Sequence, residues 1–133
     1  MSNSIDKTLT ELEGNDWGDP TFDSCLVNTV HTLRHKPIGD FTIEDLRITI
    51  GQSVGLPHLI PLALAQLESE PLVEGDFHPG DLLLSVVSID DAFWLAHGDL
   101  RTRILRVAAS ARGNTDDDAI RERCNAIITR WTP

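Results

Sequence analysis

Apolar residues recur at helical spacing along most of this chain, and most strictly between Thr42 and Leu67. Leu46, Ile50 and Val54 fall four residues apart there, with Ile43 and Ile48 widening the stripe, which predicts an amphipathic helix. Thr42, followed three residues later by Asp45, reads as a capping box in which aspartate is a shorter form of the usual glutamate. Gly51 and Gly55 interrupt the run, and Gly55 suits the left-handed residue that closes a helix. Pro57 falls near the first turn of the next helix, where its missing N–H costs nothing. Leu59, Ile60, Leu62, Ala63, Leu64 and Leu67 make that helix apolar on most of its circumference, so it is expected in the middle of the core. Pro61 either kinks it or lies within its free first turn. The two helices are expected to form a hairpin against which the rest of the chain packs.

Upstream, Ile5, Leu9 and Leu12 predict a short helix started by Ser4 and stopped by Gly14. Leu26, Val30 and Leu33, with Cys25 and Thr29, predict another over about residues 22–35. Lys36, His31 and His35 suit its negative end, and Pro37 stops it. Two segments dense in turn residues, 14–23 and 71–81, read as ordered loops. Leu82–Ile89 is apolar and partly β-branched, and fits a buried strand or a helix. With no second strand to pair with, helix is the expectation. Asp90 is expected to cap a segment holding Phe93, Trp94 and Leu95. Leu100, Ile104, Leu105, Val107 and Ala108 define a further helix, ended by Gly113, with Arg101, Arg103, Arg106 and Arg112 on its wet side. Ile120, Ala126, Ile127, Ile128 and Trp131 define the last, ending near Thr132. No repeat, low-complexity tract or linker divides the 133 residues. The expected architecture is a single all-α domain, residues 1–133, of about six or seven packed helices.

Charge changes the picture more than bulk composition does. Residues 1–81 hold 14 Asp and Glu against 4 Lys and Arg, whereas residues 82–133 hold 7 of each. The whole net charge of −10 thus lies in the first part of the chain. Such a field disfavours nucleic acid and anionic membrane, and steers a basic partner; it also serves solubility alone. Residues 1–13 lack the basic start and apolar run of a signal peptide, and the longest apolar stretches are too short to span a bilayer, so a cytoplasmic protein is expected. Cys25 and Cys124 do not make a disulfide framework and read as reduced, semi-buried thiols.

The residues offer little chemistry. His31 and His35 lie four apart, but Thr32 stands where a zinc-protease helix needs glutamate, and no Cys-x-x-Cys pair is present. Ser24 and Ser53 lie in no nucleophile elbow, and Gly51–Gly55 lacks the lysine of a phosphate loop. No cofactor or metal is expected. A non-enzymatic binding protein is the reading that follows, with a small acidic regulator of another cytoplasmic partner and a carboxylate-dependent hydrolase as alternatives. Both loops interleave acids with aromatics, a composition suited to contact surfaces. The candidate binding residues are Asp16, Trp17, Asp19 and Asp23 in the first loop, and Glu74, Asp76, Phe77, His78 and Asp81 in the second. Glu44, at the head of the central hairpin, joins them. For Trp17 and Phe22 a role in covering the core competes with that reading.

Three strings carry a resemblance: LEG-DWG-PTFDS around Leu12–Ser24, KPIGDFTIEDLRITIGQ over Lys36–Gln52, and EGDFHPGDLL over Glu74–Leu83. They closely resemble a family of bacterial contact-dependent growth inhibition immunity proteins, over about residues 7 to 112. Cys25 departs from the bulkier, often aromatic residue expected there, which touches packing only. The resemblance implies a cytoplasmic protein that binds and neutralises, without catalysis, the C-terminal toxin domain of a sibling cell's large surface effector. Toxins of this kind are frequently nucleases with basic surfaces, which the acidic first part of the chain suits. The resemblance assigns no contact residues and no oligomeric state.

Overall fold

The computed structural model describes residues 7–14, 29–30 and 32–131. The first acid-and-aromatic loop, with Asp16, Trp17, Asp19, Phe22 and Asp23, lies outside the described residues, as do Ser4, Cys25 and His31. Among the described residues the order is α1 (Leu9–Glu13), helical residues at 29–30 and 32–33, a 3₁₀ turn (Ile38–Asp40), and α2 (Ile43–Gly51). Then come α3 (Leu56–Ser69), α4 (Asp81–Val87), α5 (Asp91–Ala96), α6 (Gly98–Asn114) and α7 (Asp118–Trp131). The fold is all-α. The only β feature among these residues is an isolated antiparallel bridge between Glu74 and Pro79.

The capping box at the head of α2 is present: the Thr42 hydroxyl accepts from the Asp45 N–H at 3.1 Å, and Asp45 accepts from the Thr42 N–H at 3.0 Å. Lys36 adds an ion pair to the same carboxylate at 2.7 Å. A second capping box, not anticipated, sets α1, where Thr8 and Glu11 exchange the same two bonds. Thr8 is thus the N-cap of α1, and Gly14 closes the helix in the left-handed conformation as expected.

The end of α2 differs from the expectation. The Val54 N–H reaches the Thr49 carbonyl and the Ser53 N–H reaches that of Ile50, a Schellman closure with Ser53 at φ +57°. Gly55 is also left-handed, but it heads α3. Ser53 thus carries a conformation that disfavours side chains, at a cost of about 1 kcal/mol. Ser53→Gly is expected to raise stability by about 0.5 kcal/mol, read as a higher urea midpoint at unchanged slope. A lower midpoint would show that the serine side chain contributes more than the strain removes.

The central position of α3 holds. Leu59, Ile60, Ala63, Leu64 and Leu67 are fully buried, and α3 packs against α2, α4 and α6. Pro57 lies in its first turn, and Pro61 lies inside the helix rather than in the free turn. The stretch Leu82–Ile89 is helical as far as Val87, in α4, with Ser88 at its C-cap. Asp90 occupies the N-cap position of α5 but makes no side-chain capping bond. Gly113 does not end its helix; α6 runs on to Asn114 and is closed by Thr115. Arg103 forks onto Glu68 with bonds of 3.0 and 2.6 Å, tying the basic face of α6 to α3, and Arg130 of α7 pairs with Asp91 of α5. Acids and bases that the sequence segregates are therefore partly cross-paired in space.

Gly80, at φ +86°, lies so close to Ile120 of α7 that a Cβ there would overlap the Ile120 side chain. Leu72, at the other root of the second loop, packs beside it. The last helix therefore braces that loop from behind. Cys124 is a buried thiol on the same helix, and burial pushes its pKa up.

Candidate functional site

The second loop is built on two carboxylates. Asp81, first residue of α4 and only 4% exposed, accepts from the Gly75 N–H at 2.7 Å on one oxygen and from the Phe77 N–H at 3.1 Å on the other. Glu44, in the first turn of α2, accepts from the Asp76 N–H at 3.0 Å. Three loop amides that would otherwise lack partners are satisfied in this way. Gly75 makes the arrangement possible, because a Cβ there would stand 2.8 Å from Glu44 and 2.9 Å from Asp81.

Arg47 joins the two acids. It forks onto Glu44 at 2.6 and 2.5 Å, stands 3.9 Å from Asp81, and lies under the Phe77 ring with its guanidinium carbon 4.2 Å from the ring centre. The Phe77 ring is 68% exposed, one of the two most exposed large apolar side chains among the described residues. It is thus held outward over a cation by a loop whose backbone is pinned beneath it. Glu74 and Asp76 flank it, both exposed, and His78 is half-buried with its Nδ1 3.0 Å from the Pro79 carbonyl.

Of the residues read as candidates from sequence, the structure joins Glu44, Asp76, Phe77 and Asp81 through Arg47 and the loop amides, with His78 lining the same cleft and Glu74 exposed further along the loop. It does not give the acids one role. Both oxygens of Asp81 are occupied within the chain, and Glu44 is engaged by Arg47 and by a backbone amide. Glu74 and Asp76 are the carboxylates left facing solvent. Arg47 was not among the sequence candidates; its signal was the Glu44–Arg47 spacing of three on a predicted helix, which places the two side chains side by side.

The Arg47 guanidinium hydrogen-bonded to Glu44 holds that carboxyl below its ordinary value of 4.5; the Asp76 N–H adds to this and burial opposes it. A depressed folded-state value means the interaction contributes fully above the unfolded value and is lost as pH falls through the folded one. Glu44→Gln is expected to cost about 1 kcal/mol at pH 7 and to flatten the decline of melting temperature below about pH 4.5. Circular dichroism melts from pH 7 to 3 read this directly, and an acid limb identical to that of the wild type would overturn it.

The cleft beside Phe77 is open, about 310 Å³, and among the described residues no group of three or more His, Cys, Asp or Glu is placed to hold a metal ion. No helix among them is long and apolar enough to cross a membrane. A family model for CDI immunity proteins matches residues 11–104, which include the α2 capping box, the central hairpin, the second loop and the start of α6. No curated protein and no solved structure matches the chain.

Proposed function

The chain belongs to the CDI immunity protein family, and from that premise we propose that it binds and neutralises the C-terminal toxin domain of a contact-dependent growth inhibition effector. It acts in the cytoplasm by occupying the toxin's surface, with no bond made or broken. The observation that carries this reading is the outward-held Phe77 on a backbone pinned by Asp81 and Glu44. An exposed aromatic already fixed in place gives contact area at small further entropic cost.

Glu74 and Asp76 on the same loop would meet a basic toxin surface, and Asp16, Asp19 and Asp23, which lie outside the described residues, add acidic charge in the sequence of the first loop. Trp17 supplies a second aromatic. A nuclease is the toxin class that fits best, since its substrate-binding surface is cationic and an acidic protein competes for it.

The decisive experiment mixes the purified chain with the toxin domain of its cognate effector. A stable stoichiometric complex and abolished toxicity are expected. A toxin domain left free and fully active overturns the proposal.

Steering is separable from affinity. Converting Glu74 and Asp76 to Lys is expected to slow association about tenfold at low salt, with a much smaller effect at high salt. Stopped-flow association rates check it; a change under about threefold removes electrostatic steering by this loop from the mechanism.

A further inference from the structure

The cleft at Phe77 does not end with the loop. A second depression of about 290 Å³ continues it between α2 and α4, and Leu84 and Ser85 line both. Together they make one groove, with Phe77 and Arg47 at one end and Ser88 and Ile89 at the other.

Its two ends differ in chemistry. At the Phe77 end the wall itself carries Arg47, His78 and Asp81, and Glu44 and Asp76 stand beside Arg47, so the surroundings of that end are net negative, with Glu74 exposed further along the loop. At the far end no charged side chain among the described residues lines the groove; its walls are Ile50, Leu84, Ile89 and small residues. Gly51 leaves the wall low on the α2 side, with the nearest neighbour of a Cβ placed there, the Ser85 hydroxyl, at 3.8 Å. Seven residues of α4 make the groove about 10 Å long, room for two turns of a helix or three extended residues.

We propose that this groove seats one segment of the toxin domain, resting on the assignment of the chain as the toxin's inhibitor. The segment lays an apolar side chain on Leu84 and directs a Lys or Arg toward Asp76 and Glu74. The charge at one end sets its direction, and continuity with the Phe77 ring makes groove and loop one contact surface. Glu44 and Asp81 take part through Arg47 and the loop backbone, while Asp76 and Glu74 meet the cation.

The test fills the groove without disturbing the core. Ser88 and Gly51 are both exposed, and glutamine in place of Gly51 favours the helix. Gly51→Gln and Ser88→Trp are each expected to weaken binding of the purified toxin domain at least tenfold by calorimetry, with the melting temperature of Gly51→Gln unchanged or raised. Arg112→Gln, on the α6–α7 surface, is the control and is expected to bind as wild type. Toxin bound within threefold of wild-type affinity by both filled variants overturns the groove and leaves the inhibitor assignment intact. A wild-type chain that leaves the toxin domain unbound overturns both.

Discussion

Asp81→Ala is expected to cost about 3 kcal/mol of folding stability and to release the loop that carries Phe77. The carboxylate is buried and accepts from two loop amides, Gly75 at 2.7 Å and Phe77 at 3.1 Å. Alanine leaves both N–H groups without their acceptor, at about 1 to 3 kcal/mol for each group that water does not reach. It also removes the second acid beside Arg47, although Glu44 remains to pair that cation. Asp81→Asn keeps one acceptor oxygen and presents an amide N–H₂ to the other donor, so it is expected to cost about half as much. Urea unfolding of the two variants gives the comparison. A loss under about 1 kcal/mol in Asp81→Ala would mean that the loop holds its shape without the carboxylate.

The second large effect is expected in binding and not in folding. Phe77→Ala should weaken the toxin complex about hundredfold, which is about 2.7 kcal/mol, and shift the unfolding midpoint very little. A ring 68% exposed buries little area in the free protein. Its contact with Arg47 at 4.2 Å is worth about 0.5 to 1 kcal/mol at a solvent-facing site. Covered by a partner, the same ring loses most of its water, and an aromatic held in place at the centre of a contact is where binding energy concentrates. Calorimetry of the complex together with thermal melts of the free protein separates the two quantities. The reverse pattern, a large fall in melting temperature with unchanged affinity, would make Phe77 a cover for the Glu44–Arg47 pair and not a contact residue.

Much of the helical plan was legible in the sequence because its signals are local. The Thr42–Asp45 capping box, the apolar girth of α3 and the stop at Gly14 each depend on residues within a turn or two of one another. The failures are also local, and physical. The α1 capping box at Thr8 was missed although Glu11, three residues on, supplies its second half. Ser53 accepts a left-handed conformation that composition would assign to Gly55, because two carbonyls at the end of α2 need donors there. Gly113 ends nothing: α6 continues through it to Asn114. The site was legible as a region and not as a mechanism. Spacing shows that Glu74, Asp76 and Asp81 share a loop, but not that Asp81 turns inward onto amides four and six residues before it. Nor does it show that Glu44, 32 residues away from Asp76, supplies the third acceptor. Arg47, half-hidden under Phe77, exists as a site residue only once α2 and the loop are in contact.

The match to the family ends at residue 104, yet the root of the second loop leans on Ile120. Two relatives could therefore carry identical loops and still present them at different angles, depending on what each grafts behind them. On the proposed reading, a change of toxin would then be open to a substitution in the last helix, behind the loop, that a comparison of loop residues alone would pass over.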